Sequence, residues 1–356
     1  MRRRAAFVLA AALACAPAIA FAAAPEATAT QAGRSNACVA PALPDGPAEA
    51  SFDVARWPDR DYDLLLPARH RCADPIGLVV ILHGGGGNKT NMRKLTCPEG
   101  DVASPGCLFR RALAAGFAVA LPNGTAAAIG ALRGGLRTWN AGGGHDGAIC
   151  VSGLACRKGV DDVAYFRALL ADIESRIALD PRRVFVTGFS NGAAMAQRLG
   201  CEAADRVTAI APVSGENQFA LAGCTPAAPV SVLDIHGTLD ACWPYAGGPG
   251  GCIESGRYVS VAATLAGWAA RNGCAAVPLR TPLPAAPVPD GTSLTRHSYA
   301  GCTAGGDLVH IEIVGHGHFW PNGWPYASRR LLGGTMSRHF DANEAIVAFF
   351  ANHARP

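Results

Sequence analysis

Gly188-Phe189-Ser190-Asn191-Gly192 fits the pattern G-x-S-x-G, and its surroundings carry more information than its letters. The run V-F-V-T precedes it and N-G-A-A-M-A-Q-R-L follows, so Ser190 falls on a turn from strand to helix. A nucleophile elbow of this kind needs small flanking residues, because neighbouring backbone must approach the serine closely. It also sets the hydroxyl at a helix N-terminus, where the dipole and free N–H groups favour developing negative charge. A serine hydroxyl is a weak nucleophile and needs a base, which in turn needs an orienting acid. In chains with such an elbow the order is serine, acid, histidine. After the run P-V-S-V-L-D-I comes His236-Gly237-Thr238-Leu239-Asp240, which puts Asp240 in a loop at the carboxyl end of a strand. Asp234 lies within the strand pattern and reads as structural. After V-H-I-E-I-V comes Gly315-His316-Gly317-His318-Phe319-Trp320-Pro321, and spacing does not choose between His316 and His318 as the base. The H-x-H pair could suggest a metal, but no third ligand follows at a metal-site spacing, so no metal is expected.

Acyl transfer also needs donors for the oxyanion of a tetrahedral intermediate. One is expected from the backbone N–H of Asn191, the residue after the serine, and the other from His83-Gly84-Gly85-Gly86-Gly87, which directly follows a strand. Glycine lets backbone N–H groups face a substrate without an intervening Cβ. A phosphate cradle is excluded in detail, since Asn88 precedes Lys89-Thr90 and no G-K-[ST] is present.

These residues require a scaffold of parallel strands. From about residue 51 onward, buried-looking apolar runs alternate with helical patterns, which predicts a mostly parallel sheet with helices on both faces, a single α/β domain over residues 51–356. Strands are expected at Leu78–Leu82, Phe117–Leu121, Val184–Thr187, Val207–Val213, Val230–Ile235 and Leu308–Val314. Helices are expected at Asp161–Leu179, ended by Asp180-Pro181, at Asn191–Leu199 and near 258–271 and 342–352. Ligands of such sheets bind at the carboxyl ends of the strands. Hydrophobic residues make up 50% of the 356 and charged residues 16%, enough for a large core and too apolar for global disorder. The net charge of +4 is spread along the chain, which argues against a nucleic-acid partner.

The N-terminus reads as an export signal. Arg2, Arg3 and Arg4 precede the apolar stretch Ala5 to Ala14, which is too short for a membrane span, and A-x-A patterns follow at residues 18–22. Residues 1–22 are therefore expected to be a signal peptide, residues 23–50 a flexible leader, and the protein secreted or periplasmic. Of 13 cysteines, Cys15 lies in the signal segment, which leaves an even 12 with no C-x-x-C pair. Disulfides are the expected use, with short local spacings at Cys97 and Cys107, Cys150 and Cys156, and Cys242 and Cys252. Trp139, Trp243, Trp320 and Trp324 fall in loops; Trp139, Trp243 and Trp320 are the candidates for an aromatic wall against a planar acyl group.

The motifs L-H-G-G-G-G-N, W-N-A-G, V-D-D-V, D-P-R-R-V-F-V-T-G-F-S-N-G-A-A-M, A-P-V-S-G, I-H-G-T-L-D and G-H-G-H-F-W-P-N-G occur in that order over about residues 60–350. Together they resemble the secreted polyhydroxybutyrate depolymerase and feruloyl esterase-like proteins of carbohydrate esterase family 1. The resemblance implies an α/β-hydrolase fold and a serine carboxylic-ester hydrolase with Ser190, Asp240 and His318 as its triad. It also implies Gly85 as the second oxyanion donor, no cofactor, and a monomer acting on small or oligomeric esters. Feruloyl or acetyl esters of polysaccharide and 3-hydroxybutyrate oligomers are the two substrate classes implied. Transfer to an alcohol, peptide cleavage by the same triad, and a non-catalytic binding protein are the alternatives. Cys274 and Cys302, which flank a strand-forming insert in the matched region, are expected to pair. Three departures bear on acyl specificity: His316 in place of glycine, Trp243 in place of a small aliphatic residue, and the Gly- and Cys-bearing loop at 141–156.

Overall fold

The computed structural model describes residues 48–57, 59–68, 70, 74–126, 136–142, 153–218, 223–250, 252, 256–284 and 289–356. All described residues belong to one compact unit within Cys38–Pro356. The signal segment and residues 23–47 of the expected leader lie outside them, as do Cys150 and most of the 141–156 loop.

In chain order the strands are β1 (Ala48–Asp53), β2 (Asp61–Leu66), β3 (Ile76–Leu82), β4 (Ala118–Pro122), β5 (Thr125–Ala126), β6 (Arg137–Thr138), β7 (Leu179–Phe189), β8 (Ala209–Val213), β9 (Ser231–Gly237), β10 (Gly248–Gly250), β11 (Gly256–Tyr258), β12 (Leu279–Pro282), β13 (Ser293–Ser298) and β14 (Leu308–Val314). The helices are α1 (Lys89–Leu95), α2 (Leu108–Ala114), α3 (Gly153–Arg157), α4 (Asp162–Glu174), α5 (Asn191–Glu202), α6 (Val261–Arg271), α7 (Arg329–Leu332) and α8 (Ala342–Ala351). Ten strands form one sheet in the order β1-β2-β4-β3-β7-β8-β9-β14-β13-β12. Its middle, β4-β3-β7-β8-β9-β14, is parallel, and antiparallel pairs close both edges.

Strand pleating explains the continuous apolar runs. Leu78, Val80 and Leu82 point into one core with Phe166 and Leu170 of α4, Leu199 of α5 and Trp268 of α6. Val79 and Ile81 point into the other, with Leu95 of α1, Phe109 of α2 and Phe350 of α8. Alternate side chains serve opposite faces, so a strand covered on both sides must be apolar throughout. No described helix is long and apolar enough to cross a membrane.

Several boundaries differ from the sequence expectation. Strand β1 begins at Ala48, inside the stretch read as leader, and pairs with β2. Helix α4, capped by the Asp161 carboxylate on the Ala164 N–H, ends at Glu174 rather than Leu179. Ile177 stays buried, which sustained the apolar period, but Asp180-Pro181 lies in the exposed start of β7. A register shift between Ile76 and Leu78 relieves the ladder there. Proline, which cannot donate to a ladder, is tolerated at such a place.

Disulfides join Cys97 to Cys107, Cys201 to Cys224, Cys242 to Cys252, and Cys274 to Cys302. The last is the pair expected from the resemblance. Cys156 is also disulfide-bonded. A native disulfide typically contributes about 2–4 kcal/mol. Cys274→Ser/Cys302→Ser, which releases a loop of 28 residues, is accordingly expected to lower the melting temperature by several degrees. Equal melting curves for the two proteins under non-reducing conditions would show that this bridge adds nothing to stability.

Candidate active site

Ser190 sits where β7 turns into α5, with φ 56° and ψ −119°, a backbone conformation that non-glycine residues rarely adopt. Close packing around the turn holds this strain in place. A Cβ on Gly192 would lie 2.4 Å from the His83 carbonyl oxygen, and one on Gly188 would lie 2.6 Å from Gly192 backbone. The two flanking glycines are thus dictated by contact with each other and with the loop after β3. On the far side the Ser190 N–H donates to Val213 O at 3.0 Å.

Asp240 and His318 reach the same place from the ends of β9 and β14. His318 Nδ1 donates to Asp240 Oδ2 at 2.8 Å, and the ring packs on Phe189 with centroids 4.6 Å apart. Asp240 Oδ1 accepts the N–H groups of Cys242 and Trp243, at 2.8 and 2.7 Å, which fixes the plane of the carboxylate. Burial works to raise the Asp240 pKa, but the adjacent His318 and His236 rings and these N–H groups outweigh it and hold the carboxyl below its ordinary value. With Nδ1 engaged by Asp240, Nε2 is the nitrogen His318 can offer the cavity it shares with Ser190.

His316 is placed differently. Its Nε2 donates to Phe319 O at 3.1 Å, and its Nδ1 accepts the Ser337 N–H at 2.8 Å. Burial drives its pKa down to about 4, so it is a neutral brace for the loop. Asp234 bonds His310 Nδ1 at 2.7 Å within the sheet, away from Ser190's cavity. Asp240, Cys242 and His318 bring three potential metal-ligand atoms within 4.8 Å of one another, but the Cys242 sulfur is bonded to Cys252 and offers no thiolate.

The expected oxyanion donors adjoin one another. A Cβ built on Gly85 would sit 3.4 Å from Asn191 Cβ, and one on Gly84 would sit 3.4 Å from Ser190 Cβ. Gly84 to Gly87 all line the cavity, and in this loop the Gly86 N–H is committed to Arg137 O and the Gly87 N–H to Gly84 O. Asn191 opens α5, where the first N–H groups of a helix have no intrahelical acceptor.

The Asn191 side chain has a second task that sequence reading missed. It brackets Trp139, accepting its N–H at 2.7 Å and donating to its carbonyl at 3.0 Å, while the Trp139 indole N–H donates to His83 O at 2.9 Å. His83 in turn accepts the Gly124 N–H on Nε2 and donates from Nδ1 to Gly84 O. Burial lowers its pKa to about 3, so the ring stays neutral in this arrangement. The next residue, Asn140, donates its N–H to Asp162 Oδ2 at 2.6 Å, and Asp162 forms a buried ion pair with Arg60 at 2.6 Å. The guanidinium lies over the Tyr165 ring, 3.4 Å from its centroid. W-N-A-G and V-D-D-V are therefore the two halves of one brace under the glycine loop.

A cavity of about 460 Å³ opens over Ser190. Its walls carry Met92 and Leu95 from α1, together with Trp324, Tyr326, Trp243 and Tyr258. Of the three tryptophans expected to form an aromatic wall, only Trp243 reaches it, its ring 4.7 Å from that of Tyr258. Trp139 and Trp320 do not supply it, because their indole N–H groups are drawn inward, to His83 O and Asn343 Oδ1, and both rings are buried. Trp324, set aside in the sequence reading, lines the cavity instead. Met92 and Leu95 were legible in principle as apolar residues one turn apart just beyond the glycine loop.

The strand order, the strained serine turn after β7, and an acid and histidine at the ends of β9 and β14 define an α/β-hydrolase fold. No family model matches the chain. It is similar to a protein named esterase NocK from Nocardia uniformis subsp. tsuyamanensis, 31% identical over 197 residues, or 53% of this chain and 56% of that one. It is also similar to feruloyl esterase B of Piromyces equi, 30% over 169 residues, 46% of this chain and 30% of that one. A third relative is feruloyl esterase C of Emericella nidulans, 30% over 191 residues, 53% of this chain and 58% of that one. The chain thus spans between 30% and 58% of the length of these curated relatives. Among solved structures, acetyl xylan esterase from Aspergillus awamori aligns with a TM-score of 0.46 at 15% identity, over 77% of this chain and 94% of that one.

Proposed function

We propose that the protein is an exported serine esterase that hydrolyses carboxylic esters through an acyl-enzyme. Ser190 Oγ attacks the ester carbonyl, His318 Nε2 takes the proton and returns it to the leaving alcohol, and Asp240 holds the imidazole. The N–H groups of Gly85 and Asn191 stabilise the oxyanion. Water then enters by the same route and releases the acid. The observation that carries this reading is the shared cavity, lined both by a strained serine at a helix N-terminus and by a histidine whose Nδ1 is fixed 2.8 Å from a buried carboxylate. The likeness to feruloyl esterases supports the ester class. The apolar, aromatic cavity of about 460 Å³ suits a hydroxycinnamoyl or other bulky acyl group, with acetyl and 3-hydroxybutyrate esters as the competing substrates. The test is labelling by a fluorophosphonate probe, together with turnover of p-nitrophenyl, feruloyl and hydroxybutyrate esters. A protein that neither labels nor hydrolyses any of them is not an esterase.

Acyl selectivity should depend on Trp243. Trp243→Ala removes the ring against Tyr258 but keeps the backbone N–H that holds Asp240. KM for feruloyl esters is expected to rise several-fold, a loss of about 1 kcal/mol, with acetyl esters nearly unaffected. Equal losses on both would mean that the ring only supports the acid loop.

A further inference from the structure

Behind Asp240 lies a second buried histidine–carboxylate pair that the triad does not use. His236, near the end of β9, points Nδ1 at Glu216 Oε1 (2.7 Å) and Nε2 at the Trp243 carbonyl oxygen (2.8 Å). The same Nε2 lies 3.5 Å from Asp240 Oδ2, the oxygen that receives His318 Nδ1. His236, Glu216 and Asp240 are all buried. We infer that His236 is a permanent imidazolium at neutral pH, a positioning residue that holds the Asp240 carboxylate ionised.

The geometry favours the charge. A neutral imidazole has one donor and one acceptor, whereas both His236 nitrogens face oxygens, and a neutral ring would require Glu216, whose carboxyl pKa burial raises, to donate its own proton to Nδ1. Two other buried histidines differ. His83 and His316 each pair one nitrogen with an N–H donor and the other with a carbonyl, as a neutral ring must. Burial by itself would lower the His236 pKa; the bonded Glu216, with Asp240 and Asp234 nearby, outweighs it and raises the pKa to about 9. The surroundings include further groups that a charge here must meet: His310 and Glu312 on the neighbouring strand β14, Tyr245 with its ring 5.8 Å away, and His316 and His318 on the loop after β14. Glu216, His236, Asp240 and His318 then form a row of alternating charge whenever His318 is protonated. The fixed cation nearest Asp240 helps to keep that carboxylate charged, as the acceptor of the His318 Nδ1–H.

This inference rests on the esterase reading, but its first readout does not. In protein labelled with ¹⁵N-histidine, His236 should show two protonated ring nitrogens at pH 7.5, assigned by loss of the signal in His236→Gln. His236→Gln can still donate to the Trp243 carbonyl, and Glu216→Gln removes the anion that holds the charge. Both are expected to move the acid limb of kcat/KM to higher pH by about half to one unit, because Asp240 then holds its charge less firmly. A support that only held the loop would lower kcat at all pH values without moving that limb. An unprotonated Nδ1 in the wild-type spectrum overturns the inference even if neither variant folds, and so does an unmoved acid limb. If both His236 nitrogens are protonated while no ester is hydrolysed, the esterase reading has failed and the charge on His236 stands.

Discussion

Ser190→Ala is expected to reduce kcat for any ester the protein turns over by about four orders of magnitude, with the fold intact. His318→Ala should lose about as much, because the serine without its base is no more reactive than a free hydroxyl. The two losses should not add, since the residues act as one unit. His316→Ala provides the control. Both its nitrogens are engaged by backbone, to Phe319 O and from Ser337 N, so its removal should lower the melting temperature while leaving substantial activity. Steady-state kinetics and thermal melts on the three variants decide the matter. Abolished turnover in His316→Ala with activity retained in His318→Ala would falsify the assignment of the base.

The second large effect lies well away from the serine. Asp162→Ala leaves the Arg60 guanidinium buried without its counter-ion and frees the Asn140 N–H. Breaking a buried pair from one side costs about 3–5 kcal/mol. For a domain of this size the melting temperature should fall on the order of 10 °C. Because Asn140 follows Trp139, which the Asn191 side chain brackets, kcat should fall as well. Arg60→Met/Asp162→Leu removes both charges and should recover much of the stability, though not the Asn140 contact. If urea denaturation gives Asp162→Ala wild-type stability, the brace does not exist as described.

The parts of the site legible in sequence were those that strand-and-turn chemistry dictates locally. The G-x-S-x-G turn could be read from the strand and helix patterns on either side of it, although the contacts that require Gly188 and Gly192 come from Leu82 and His83 as well as from each other. Asp240 could be read because it closes a strand. His318 could not be separated from His316 by spacing, since both share one loop; only the resemblance chose, and the hydrogen bond to Asp240 agrees with that choice. What sequence reading missed depends on side-chain direction. Trp139 and Trp320 sit beside motif residues yet turn inward, because an indole N–H inside a protein must find an acceptor. Glu216 and His236 are 20 residues apart and meet only because β8 and β9 lie side by side. The end of α4 was overrun because Ile177 keeps the apolar period in a segment that is no longer helical.

The Asp240–His318 hydrogen bond spans 78 residues of chain. The segment between them must run through α6, β12 and β13 before β14 can dock parallel to β9. Contacts this distant in sequence form late, since the entropy of closing the loop is spent before the contact is gained. Cys274 and Cys302 lie inside that segment, and their bond short-circuits 28 residues of it. Forming this bond thereby does more than stabilise the finished protein: it shortens the journey the histidine makes to its acid during folding.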